Sequence, residues 1–236
     1  MTFIRALYSM FNETFLEALF PQAEAEKEVL SLAPAEIFRR LPRASEFPTR
    51  EACSVFAYAD ERVWRLIWAL KYKKSRTAAD ICGHALLSIL SLYLRAVPGI
   101  IIIPMPITSK RRRERGFNQC ELIADAIEKL WNLSQPDAAE KASAPNDLLV
   151  VRDLLLRTRH KARQTLKDRS ERLENAENLF AVNDEARRRL KPLAENGKYL
   201  LLVIDDVVTT GSTINDAIMT IRGAGLTNCF GLSVAH

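Results

Sequence analysis

The chain has 236 residues, 48% apolar and 27% charged, with a net charge of +5. Such a balance is that of a soluble globular protein, long enough for one large domain or a core with a smaller appendage. Its four cysteines, Cys53, Cys82, Cys120 and Cys229, are far apart and form no C-x-x-C pair, which argues against a disulfide framework or a zinc knuckle and points to a reducing cytoplasm.

The N-terminal stretch MTFIRALYSMFNETFLEALFP is apolar, but Arg5, Glu13 and Glu17 interrupt it well short of a membrane-spanning length. It also lacks the uninterrupted apolar core and small-residue cleavage site of a signal peptide. Phe11, Phe15, Leu16, Leu19 and Phe20 fall on one helical stripe, which predicts an amphipathic helix packed on the body. Residues 1–95 read as a mainly helical part. Helices are expected over 63–72 and 81–94, after a less regular stretch punctuated by Pro34, Pro42 and Pro48.

Residues 96–236 read as the core. PGIIIIPMPI (98–107) is expected to be a buried strand with a proline-bounded exit, followed by a basic loop, KRRRER (110–115). NQCELIADAIEKLWNL (118–133) reads as a helix, with Asn118 as N-cap and Glu121 three residues on. A loop over 134–147 leads to an expected strand, LLVVRDLLL (148–156). The following polar segment reads as a long loop, with a short helix near 169–177; loops of that length are often mobile lids. FAV (180–182), KYLLLVI (198–204) and NCFGLSVAH (228–236) are further strands, with a helix after Ser212. Strands alternating with helices imply an α/β fold with a parallel sheet, whose ligands bind at the carboxyl ends of the strands.

Charge is uneven along this order. Residues 110–115 carry +4 and residues 152–172 carry +5, which leaves about −4 for the rest. Two basic segments suggest polyanionic ligands, phosphates or nucleic acid. Between them and the C-terminus stands LLVIDDVVTTGST (201–213), an apolar run ending in Asp205 and Asp206, then Thr209, Thr210, Gly211, Ser212 and Thr213. A turn of hydroxyl residues before a helix N-terminus suits an anion. A Walker-B strand ends similarly, but its partner G-x-x-x-x-G-K-[ST] is missing from the chain. A receiver domain also gathers acids for magnesium, but at the end of its first strand. A third reading has the carboxylates accepting hydrogen bonds from ribose hydroxyls while the turn cradles a 5-phosphate.

The 201–213 stretch resembles the signature of the type I phosphoribosyltransferases. PMPITSKRRRERGFNQCELIA resembles the "P-x-P…R-x-R-G-F-N-Q" segment of their competence protein F (ComF) branch, and RTRHKARQTLKDRSERLENAENLF its basic loop, with Gln164, Arg169, Arg172, Asn175 and Phe180 in the matching places. ALKYKKSRTAADICGHAL is similar to the family's helix pair, so the likeness covers about residues 56–236. Many relatives carry a four-cysteine zinc module after an "LFP" segment. This chain has Leu19, Phe20 and Pro21 but no paired cysteines after them.

The resemblance implies a parallel-sheet type I phosphoribosyltransferase core with a helical N-terminal part, acting on 5-phosphoribosyl diphosphate (PRPP) with Mg2+. It implies that Asp205 and Asp206 take the ribose hydroxyls, and that Thr209, Thr210, Gly211, Ser212 and Thr213 take the phosphate. Thr108, Ser109 and Arg111 would face the diphosphate, and Arg159, His160, Lys161 and Gln164 would lie on the lid. Mg2+ would be held through PRPP rather than by a dedicated protein cage. Transfer at C1 would pass through an oxocarbenium-like state. A link to DNA uptake, or to nucleotide metabolism, follows from the same likeness. The alternative is a non-catalytic module that binds PRPP or single-stranded DNA and works with partners such as a competence helicase.

Overall fold

The computed structural model describes residues 24–45, 49–94, 97–134, 147–158, 179–194 and 199–236. The helix expected near the N-terminus, the one expected near 169–177, and Arg159, His160, Lys161 and Gln164 lie outside them. Two short helices, α1 (Glu24–Leu30) and α2 (Pro34–Arg40), precede strand β1 (Ala52–Phe56). Helices α3 (Glu61–Tyr72) and α4 (Arg76–Tyr93) follow, each opened by a capping side chain. Asp60 accepts from the Arg62 amide and Ser75 from the Ala78 amide.

Strand β2 (Gly99–Pro104) leads to α5 (Ser109–Arg115) and α6 (Gln119–Ser134). Next come β3 (Asp147–Val150), β4 (Leu155–Arg157), β5 (Phe180–Val182) and helix α7 (Asp184–Ala194). The chain closes with β6 (Tyr199–Val207), α8 (Ser212–Gly223) and β7 (Cys229–Ala235). Among the described residues, no helix is long and apolar enough to cross a membrane.

Five strands form one sheet in the order β1-β7-β6-β2-β3, and every pairing in it is parallel. The expected α/β fold is thus present, and β1, from the mainly helical first part, supplies one edge. Both faces of the sheet are covered. Ile100, Ile102, Leu202 and Ile204 pack under α1–α4 and α6, whereas Ile101, Ile103, Leu201 and Val203 pack under α7 and α8. Burial on both faces is why β2 reads as an unbroken run of isoleucines instead of an alternating pattern.

Two expectations need correcting, and one helix was missed. KRRRER is a helical turn-pair, α5, because Thr108 caps its start and Gly116, at φ 78°, ends it in the left-handed region. LLVVRDLLL is two strands: β3 joins the main sheet, and β4 pairs antiparallel with β5 in a separate ribbon. Helix α7 went unread because DEARRRLKPLA is mostly charged; only Ala186 and Leu190 are buried.

Candidate functional site

β6 and β2 run side by side to the same edge, with Pro104 opposite Ile204, and Met105 continues the pairing through its amide to the Ile204 carbonyl (2.9 Å). β6 extends through both carboxylates to Val207, further than its apolar run suggested. Side chains alternate along a strand, so Asp206 follows Ile204 toward the helices of α1–α4 and Asp205 follows Val203 toward the opposite layer. Asp206 is 4% exposed and meets Lys71 of α3, whose Nζ lies 2.8 Å from Oδ2. That approach is outside hydrogen-bond geometry, so it is a pairing of charges only.

Asp205 Oδ1 accepts from the Asp206 amide (2.9 Å) and from the Cys120 thiol (3.4 Å). Loss of solvent, then the neighbouring Asp206 charge, push its pKa well above the usual carboxylate range. Burial likewise pushes the Cys120 thiol up, with the two carboxylates adding to the effect. Cys120, Asp205 and Asp206 bring one ligand atom each within 4.8 Å of one another.

The G-F-N-Q segment explains how Cys120 gets there. Buried Asn118 donates to the Met105 carbonyl (3.0 Å) and accepts from the Cys120 amide (3.0 Å), so one side chain caps α6 and ties it to the end of β2. Glu121, expected to complete a capping box, instead takes Arg112 of α5 at 2.8 Å and 3.0 Å. Gln119 accepts from Arg115, and the Arg115 guanidinium lies 5.2 Å from the Tyr72 ring centroid.

Val208 ends the strand pairing by donating to the Ala235 carbonyl, and the chain then turns through 209–213. Gly211, at φ 77°, is the N-cap of α8, a left-handed position that favours glycine. Thr210 Oγ1 and Ser212 Oγ are 3.1 Å apart. Among the described residues, the amides of Thr209, Thr210, Gly211 and Thr213 find no acceptor, as expected of a turn opening a helix.

These groups share a pocket of about 360 Å³ with Lys71, Tyr72, Arg111, Arg115 and Arg157, a size suited to a small ligand. Asp205, Asp206, Thr209, Thr210, Gly211, Ser212 and Thr213 all line it. Of the three residues expected at a diphosphate, Arg111 lines it. Thr108 caps α5 through its hydroxyl and Ser109 begins that helix, and neither is on the pocket wall. Lys71, Cys120 and Arg157 were missed by sequence reading. Arg157 lay inside a basic run, but nothing in the run marked it from its neighbours; Lys71 and Cys120 come from other elements and had no local signal.

No family model matches the chain. It is similar to competence protein F of Haemophilus influenzae, 28% identical over 128 residues, 53% of this chain and 45% of that protein. It is also similar to DNA utilization protein YhgH of Escherichia coli and of Shigella flexneri, 29% identical over 154 residues, 63% of this chain and 56% of those proteins. The chain thus spans about half the length of the curated relatives it matches. In agreement with the resemblance of its motifs, the chain is a homologue of proteins named competence protein F and DNA utilization protein YhgH.

Proposed function

We propose that the chain binds PRPP with Mg2+ and transfers the phosphoribosyl group to an acceptor. One observation carries this reading: a carboxylate pair, a turn of acceptor-free amides and hydroxyls, and guanidinium groups line one small pocket at the carboxyl end of a parallel sheet. The turn at 209–213 and the N-terminus of α8 suit the 5-phosphate. Asp205 and Asp206 suit the ribose hydroxyls as acceptors of hydrogen bonds. Arg111 suits the diphosphate. Diphosphate charge would be neutralised further by Mg2+ carried in with the substrate.

In such a transfer the bond from C1 to the diphosphate oxygen breaks, the diphosphate leaves with the electron pair, and an acceptor lone pair forms the new bond to C1. The chain's own residues hold the sugar phosphate still and keep the leaving charge paired. Among the described residues lining the pocket, the only carboxylates are Asp205 and Asp206, and no histidine is among them. That composition favours, as a second reading, a module that binds PRPP or single-stranded DNA without turnover. The relatives' names, which speak of competence and DNA utilization, support a place in those processes for either reading. A mass-spectrometric screen for diphosphate release from PRPP with a panel of nucleobases separates the two. Release with one base supports transfer; binding of PRPP without release supports the module; no binding of PRPP overturns transfer and leaves the module only single-stranded DNA.

A further inference from the structure

We infer that Arg157, together with Arg111, holds the diphosphate end of the bound sugar phosphate, an inference that rests on the PRPP reading above. Arg157 is the last residue of β4, and its guanidinium carbon lies 5.1 Å from the centroid of buried Phe180 on the paired strand β5. That cation–π contact holds the guanidinium near the ring. Among the described residues its one hydrogen bond is a long one: Nη1 donates to the Pro106 carbonyl at 3.4 Å, just beyond β2. Its Nε is buried and has no acceptor among the described residues.

A buried, unanswered N–H is costly, and native structures rarely leave one without a reason. A second cost lies beside it. Burial and the nearby Arg111 charge both disfavour the cationic form of Arg157, while Asp205 and Asp216 act in the opposite direction without forming an ion pair with it. Arg111 and Arg157 line the same pocket, and among the described residues neither forms an ion pair with the carboxylates there. A diphosphate answers both costs at once, since it supplies acceptors for the planar fork and negative charge for the pair. The 5-phosphate is the poorer candidate for this position. Its turn lies past the end of β6, whereas Arg157 is tied through Pro106 to the segment leading from β2 into α5.

The test is calorimetric binding of three probes, each with Mg2+: PRPP, inorganic diphosphate and ribose 5-phosphate. R157Q is expected to weaken PRPP and diphosphate by about 10- to 100-fold, the loss of one or two charge-assisted hydrogen bonds, and to leave ribose 5-phosphate unchanged. R157K is expected to recover part of the diphosphate affinity, since an ammonium keeps the charge but not the fork. It also decides the matter if R157Q fails to fold, because it must still lose diphosphate affinity more than ribose 5-phosphate affinity. Equal losses for both probes, or unchanged diphosphate binding, would overturn the inference while the PRPP reading stands. Failure of the unmodified protein to bind any of the three would overturn that reading itself.

Discussion

Asp205 and Asp206 sit side by side in sequence, yet the strand pleat gives them different neighbours and hence different chemistry. An acid whose pKa is raised on folding keeps a proton that the unfolded chain has already released, so stability falls as pH climbs from the usual carboxylate range to the folded value. For Asp205 that value is about 8. Asp205→Asn is therefore expected to stabilise the ligand-free protein more at pH 8 than at pH 4, as thermal melts at the two pH values would read. The same change combined with Asp206→Asn should cost PRPP affinity, by about 0.5–3 kcal/mol for each hydrogen bond lost. An unchanged dissociation constant in the double variant would count against the ribose assignment. Lys71→Met leaves the buried Asp206 carboxylate without its cation, and urea unfolding should show a loss of about 3–5 kcal/mol. A smaller loss would mean that Asp206 takes up a proton or reaches solvent.

At the scale of elements, close packing decides more than propensity. α4 and α6 lie against the same face of the sheet, and Gly83 lets them touch: a Cβ built there would stand 2.8 Å from Ala126 Cβ and 3.3 Å from the α6 backbone. Gly83→Ala should push the helices apart and cost about 1–3 kcal/mol, read from the denaturation midpoint. Unchanged stability would show that the two helices part freely. Most elements were legible because their patterns are strong. β2 and β6 are long apolar runs, and α3 and α4 have clear helical spacing with Asp60 and Ser75 before them. The misread elements lacked such patterns. α7 shows two buried residues among eleven, and α5 has no buried residue at all, so its cap and its terminal glycine were the only signals.

At the scale of the whole molecule, formal charge overstates the available charge. Of the basic residues in α5, Lys110 pairs with Glu114, Arg112 with Glu121, and Arg115 bonds Gln119 while lying over Tyr72. Binding to single-stranded DNA is accordingly expected to be weak, independent of sequence and steeply weakened by salt, with PRPP and Mg2+ competing if the sites overlap. Exposed Arg113→Ala should lower the slope of log affinity against log salt by about 0.7, in fluorescence anisotropy with a labelled oligonucleotide. Tight, salt-insensitive binding would refute the electrostatic account. By itself the sequence determined the α/β class, the parallel strands and the pocket's own floor, residues 205–213, because these follow from contiguous apolar runs and one ordered turn. Only the tertiary structure decided which distant side chains close around that floor. Lys71, Cys120 and Arg157 reach it from α3, α6 and β4, and their meeting depends on strand order and helix packing, which no local spacing encodes.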